Sequence, residues 1–137
     1  MVSFTIETSR QQDILDLTPR LTEAVAASGL QEGAALVSVA HCTCALYLNE
    51  NEPGLLDDTL SLIGTLGMLK RWRHDTIDHN AGAHLAATLI GNSVTVPVSG
   101  GRLQLGTWQS VMLVELDGPR PRQVTVTLLP GLAEAGA

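Results

Sequence analysis

Aromatic side chains are scarce in this sequence, with two tryptophans, one tyrosine and one phenylalanine among 137 residues. A core without them has to come from Leu, Val, Ile and Ala, so Trp72 and Trp108 stand out as residues to account for. Cysteine is nearly missing too. Cys42 and Cys44 lie two apart on an expected strand, on one face but near the upper limit of disulfide reach, which argues against a structural disulfide and fits a cytoplasmic chain. No run of about 18 apolar residues occurs, and the first residues carry no basic stretch followed by an apolar one. The expectation is a soluble, unsecreted protein with no membrane partner. Basic residues are few as well, eight against fourteen acidic, giving a net charge of −6. That argues against a duplex-binding surface, which needs a basic stripe to neutralise phosphates, and the expectation is no nucleic-acid partner. An anionic small molecule stays compatible, because Arg71, Arg73, Arg102, Arg120 and Arg122 could make a locally positive pocket.

What is present is the balance of one globular domain, 45% hydrophobic and 16% charged, long enough to bury roughly 65–70% of its unfolded surface. Residues 1–132 are expected to form the domain and 133–137 a frayed tail. Val2 to Thr8 alternates as a strand with one wet face, and Asp13 to Leu17 reads as its hairpin partner across a polar turn at Ser9 to Gln12. Thr18-Pro19 reads as a helix start with Thr18 as N-cap, and Gly29 as its stop. Ala34 to Ala40 is apolar enough for a central strand covered on both faces, and His41 ends it. Thr43 to Leu48 is the next strand, and Leu55 to Leu69 has helical spacing with Asp57 and Asp58 near its start. Lys70 to Asn80 has no period and reads as a loop. Ala83 to Ile90 is a helix, and Ser93 to Val98 a strand turning through Ser99-Gly100-Gly101 into Arg102 to Leu105. Thr107 to Leu116 follows, with Val111, Leu113 and Glu115 on one face, then Gln123 to Leu129. The sum is an α+β fold of about eight mostly antiparallel strands and about three helices.

The residues able to do chemistry fall in separate clusters. His41 ends a strand, His74 lies in the aperiodic loop beside Asp75, and His84 opens a helix. Each imidazole can serve as a general acid or base or as a metal ligand near neutral pH. No recognised metal spacing joins them, and His79, between Asp78 and Asn80, reads as an ordinary surface residue. Three histidines with a carboxylate could hold a zinc-like ion. Asn49, Glu50 and Asn51 at a strand exit offer the oxygen ligands that Mg²⁺ prefers. In Gly106-Thr107-Trp108-Gln109, a glycine inside a strand pattern implies a bulge that re-aims a hydroxyl, an indole and an amide, where Trp108 would stack on a flat ring and Gln109 read its edge. Both cysteines read first as small buried apolar residues.

Taken together, H-C-T-C-A-L-Y-L-N-E-N at His41 to Asn51, Asp58, W-R-H-D at Trp72 to Asp75, N-A-G-A-H-L at Asn80 to Leu85, G-N-S at Gly91 to Ser93, Pro97-Val98, G-R-L-Q-L-G-T-W-Q at Gly101 to Gln109 and Glu115 make the chain resemble the YjbQ-like family. The resemblance implies a small trimeric α+β protein with a secondary thiamine-phosphate synthase activity. It marks His41, His74 and His84 as family-pattern positions and leaves His79 out. The family pattern has small or hydroxyl residues after the histidine, where this chain has Cys42, Thr43, Cys44 and Ala45. The expected site is then His41, His74, His84 and Glu50 as catalytic residues. Asn49, Asn51, Asp75, Asn80, Gly106, Thr107, Trp108 and Gln109 would hold a phosphorylated small molecule. Mg²⁺ at Glu50 would assist, or a zinc-like ion at the three histidines in a hydrolase; a homotrimer that binds a ligand without turnover is the remaining expectation.

Overall fold

The computed structural model describes residues 1–132, and the tail expected at 133–137 lies outside the described residues. Two antiparallel sheets face one another. The larger has the order β1 (Val2–Glu7), β8 (Pro121–Pro130), β3 (Gly33–Val39), β5 (Ser93–Ser99) and β6 (Arg102–Leu103). The smaller has β2 (Asp13–Asp16), β7 (Ser110–Glu115) and β4 (Cys44–Asn49). Helix α1 (Thr18–Ser28) adds Leu21 and Val25 to the core between the sheets, where Ala35, Val37, Leu46, Leu113, Val124 and Val126 meet. Helices α2 (Pro53–Leu66) and α3 (Ala81–Ile90) cover the other face of the small sheet through Ile63, Ala83, Ala86, Val114 and Leu116. The two helices come close where Gly82 meets Gly67, since a Cβ on Gly82 would stand 3.0 Å from the Gly67 Cα.

The α+β class and the antiparallel sheets match the sequence pattern, but several local expectations need correcting. β1 and β2 do not form a hairpin. β1 pairs with β8 and β2 with β7, so the polar turn between them carries the chain from one sheet to the other. β3 is central but covered on one face only. Ala35, Val37 and Val39 point inward, whereas its other side continues a hydroxyl-rich face through Ser38, Thr125 and Ser3. The strand buried on both faces is β7, whose Val111, Leu113 and Glu115 point to the inter-sheet core while Val114 packs beneath α2 and α3. Thr18 is the first helical residue and Leu17 the N-cap, because the Thr18 hydroxyl instead accepts the Val111 N–H at 2.9 Å. Gly29 does end α1, in the left-handed conformation that lets its N–H reach Ala26. The β5–β6 hairpin turns on Gly100 and Gly101, both at positive φ as a tight two-residue turn requires.

No bulge exists at Gly106. Residues 106–109 form a turn between the sheets, closed by Gln109 N–H donating to Gly106 O at 3.0 Å and by Gly106 N–H donating to the Gln109 side chain at 2.8 Å. Glu52 starts α2 by accepting the N–H groups of Gly54 and Leu55, and the Trp72 indole donates to Leu66 O at its far end. Among the described residues no helix is long and apolar enough to cross a membrane.

An ion pair lies inside this framework. Glu115 and Arg122 are buried, at 0% and 2% exposure, and joined by two hydrogen bonds. The Glu115 carboxylate also accepts the Thr8 hydroxyl and the N–H groups of Leu116 and Asp117, while Arg122 donates to the carbonyl and hydroxyl of Thr43. Burial alone would raise the Glu115 pKa, but Arg122, the Asp117 N–H and Thr8 together hold it below the usual range. Removing one partner leaves a buried uncompensated charge. Arg122→Met should therefore cost about 3–5 kcal/mol, read by denaturant unfolding, while Glu115→Leu with Arg122→Met recovers most of the loss. A lowered carboxylate pKa stabilises the fold above the unfolded value and loses that contribution on acidification. Stability of the wild type should accordingly fall as pH drops below about 4.5, and the double variant should show a shallower fall.

The thiols have separate fates. Cys44 is buried on β4, its pKa pushed up by burial to about 11, while Cys42 precedes the strand and is exposed; both are free. One thiol per chain should react with Ellman's reagent in the native protein and both in denaturant, and reaction of Cys44 in the native state would contradict the packing of β4.

Candidate active site

The β3–β4 connection carries His41 and Cys42 past the end of the large sheet. The chain after α3 is tied to the same place, since Val39 N–H donates to Asn92 O and Leu46 N–H to Gly91 O, both at 3.0 Å. Between these segments opens a cleft of about 400 Å³ lined by His41, Cys42, His84, Ala87, Thr88, Gly91 and Asn92. His84 reaches it from the first turn of α3. Its ring meets that of His74 edge-on, with centroids 4.6 Å apart, and His74 is held there by a short 3-10 turn, Arg73–Thr76, inside the segment expected to be structureless. Asp75 has a structural partner. Its carboxylate accepts the Ala81 N–H at 2.9 Å and so starts α3 two residues earlier than the periodicity implied. Asn80 donates to Asp117 at 3.0 Å, which holds the Asp117 carboxyl below its usual range. His79, exposed and at φ 55, stands outside the cleft.

His41 is the most constrained of the histidines. Its Nε2 accepts the backbone N–H of Gln123 at 3.0 Å. Burial, and then the charge of Arg122, lower its pKa, which favours the neutral ring. Arg122 thus ties the site to the buried ion pair, and the sequence reading missed it by treating it as one of five loosely grouped arginines. The signal was there. Arg122, Val124 and Val126 share one parity on a strand whose Val124 and Val126 face the core, which puts Arg122 inside as well. No five-arginine pocket forms, because Arg120 pairs with Asp117, Arg122 with Glu115, and Arg102 lies in the β5–β6 hairpin. Lys70, Arg71 and Arg73, which precede His74 in the chain, remain exposed, with Lys70 over the Trp72 ring.

The expected site residues separate into two groups. Cys44 pairs with Glu115 and Asn49 with Ser110, so β4 and β7 run side by side over six residues. The histidines lie beside the Cys44 end. Asn49, Glu50, Asn51 and the turn Gly106, Thr107, Trp108 and Gln109 lie at the other, a strand length of ~17 Å away. At that end Asn49 accepts the Glu50 N–H, Gln109 is spent on its own turn, and Trp108 is 73% exposed with no fold-internal use for its ring. Among the described residues no three His, Cys, Asp or Glu side chains are placed to hold an ion, neither at the three histidines nor around Glu50.

Comparison with known proteins agrees with this fold throughout its length. A family model described as UPF0047 protein YjbQ-like matches residues 2–131. A UPF0047 protein of Archaeoglobus fulgidus is 44% identical over 129 residues, covering 93% of this chain and 100% of the relative. The crystal structure of a YbjQ-like protein of unknown function from Sulfolobus solfataricus has a TM-score of 0.91 at 42% identity, covering 95% of this chain and 96% of that one. A hypothetical protein from Aeropyrum pernix has a TM-score of 0.90 at 43% identity, with 95% and 98% covered. With the match running over nearly every element that builds the cleft, the chain belongs to the UPF0047 YjbQ-like family.

Proposed function

We propose that the protein is a transferase of the thiamine-phosphate synthase type, acting on phosphorylated small molecules in the cleft of His41 and His84. The observation that carries this reading is the one open cleft that His41 and His84 line together, with His74 edge-on to His84. In the reaction, the C–O bond from an aminopyrimidine methylene to pyrophosphate breaks. The thiazole nitrogen of the second substrate supplies the electron pair for the new C–N bond. Charge builds on the departing oxygen, so the site has to orient two rings and stabilise that oxygen. His41 and His84 would contact the leaving phosphate, and His74 would hold the His84 ring.

The test is incubation with both precursors, with and without Mg²⁺, followed by mass spectrometry. Wild type should form thiamine phosphate, and His84→Ala should lose about a hundredfold or more in rate. Full activity of both His74→Ala and His84→Ala would defeat the assignment. No product from the folded wild type, with a ligand that raises Tm and is not consumed, would favour a binding module. Metal-assisted hydrolysis is favoured only by the 4.6 Å approach of His74 and His84, and metal-free protein from a chelator-free preparation would count against it.

A homotrimer belongs to the same proposal. The two groups of expected site residues are a strand length apart in one chain, and an assembly would let the exposed Trp108 turn of one copy serve the histidine cleft of the next. Leu62 and Leu89, 71% and 73% exposed, supply apolar surface for such a contact. Light scattering during size exclusion should give three times the chain mass, and a monomer would remove the shared site.

A further inference from the structure

The hydrogen bond between His41 and Gln123 determines more than where the ring sits. A backbone N–H can only donate, so Nε2 must present a lone pair to it, and a neutral ring then carries its proton on Nδ1. A side-chain partner such as an amide could flip and accept instead; the peptide N–H of a strand cannot. The two ends of this bond are also locked to each other. Arg122, adjacent to Gln123, donates to the carbonyl and hydroxyl of Thr43, two residues beyond His41, and is itself clamped by Glu115. The bridge holds the β3–β4 connection against β8 at the place where the ring must meet the amide.

Nδ1 is left with no partner among the described residues, and it is not one of the enclosed orphan atoms, which are His74 Nε2 and Asn80 Oδ1. The ring lines the cleft together with His84. Burial and the Arg122 charge both oppose protonation. A neutral N–H donor still stabilises an oxyanion, and needs no reorganisation when it is held in place beforehand.

We propose that His41 is a tautomer-locked Nδ1–H donor to an anionic oxygen of the bound phosphate, that the Gln123 backbone amide sets the tautomer, and that the Arg122–Thr43 bridge is the positioning device. His41 is then excluded as a metal ligand in this arrangement, because neither ring nitrogen has a free lone pair. The proposal rests on the reading of the cleft as a phosphate site and adds the chemistry of one of its walls.

The experiment is a long-range ¹H–¹⁵N correlation spectrum of the full chain labelled with ¹⁵N-histidine, at a pH where imidazoles are neutral, with inorganic phosphate and then zinc added. His41 should show a pyrrole-type Nδ1 and a pyridine-type Nε2. Phosphate should move the Nδ1–H signal, and zinc should leave both nitrogens unchanged. Gln123→Pro, which removes the amide hydrogen, should mix the tautomers, whereas Gln123→Ala should not. His41→Ala should bind phosphate about tenfold to a hundredfold more weakly, as for loss of a hydrogen bond to a charged group, with partial rescue by His41→Asn. A protonated Nε2 in the wild type, an Nδ1–H signal indifferent to phosphate, or zinc bound at either nitrogen would each overturn the proposal. These outcomes are separable from the transferase reading. A wild type that makes product while His41 carries its proton on Nε2 defeats this inference alone, and a locked tautomer that responds to phosphate in a protein without turnover defeats only the transferase.

Discussion

The buried pair of Glu115 and Arg122 is the interaction on which the rest of the structure depends. It joins the last residue of β7 in the small sheet to β8 in the large one, with Thr8 and Thr43 completing its hydrogen bonds from two further segments. Two charges away from solvent need each other, since removing either strands its partner, so the pair ties the two sheets together at this point. An apolar core of Val, Leu and Ala accepts small slides; a carboxylate shared among a guanidinium, a hydroxyl and two peptide N–H groups does not. Its position explains its consequence. The pair sits where the β3–β4 connection leaves the core, and holding that connection is what gives His41 a fixed orientation.

The site is built outward from this point. Strand β8 contributes Arg122 to the interior and the next peptide N–H to His41. The connection after α3 contributes Asn92 and Gly91, each bonded back to a strand, so the cleft has rigid walls on both sides. Helix α3 supplies His84, and its start depends on Asp75, which also fixes the turn that brings His74 against His84. Asp75 and Asn80, singled out as ligands of a substrate, also support the fold: one caps a helix and the other donates to Asp117.

Much of the architecture was legible from the pattern of residues. The Gly100-Gly101 hairpin, the Gly29 helix end and the inward parity of Val111, Leu113 and Glu115 each follow from local backbone chemistry. The failures share a cause. Whether β1 pairs with β2 or with β8, and whether β3 is covered on both sides, depend on contacts between residues far apart in the chain, more than a hundred positions in the case of β1 and β8. Gly106 shows the limit clearly. A glycine amid strand-like residues reads equally as a bulge or as a turn between sheets, and only the partners of β6 and β7 distinguish them.

The sequence by itself determined the kinds of element, the aliphatic nature of the core, the shortage of positive charge and the three histidines as the residues to watch, because periodicity, composition and side-chain chemistry are local properties. The tertiary structure decided which of those histidines share a cleft, that Asn49, Glu50, Asn51, Trp108 and Gln109 lie at the far end of the small sheet, and that Arg122 is buried against Glu115. The physical reason is register. Pairing Cys44 with Glu115 places everything at one end of β4 beside the buried charges and everything at the other end a strand length away, and register is set by sheet partners that no single segment contains.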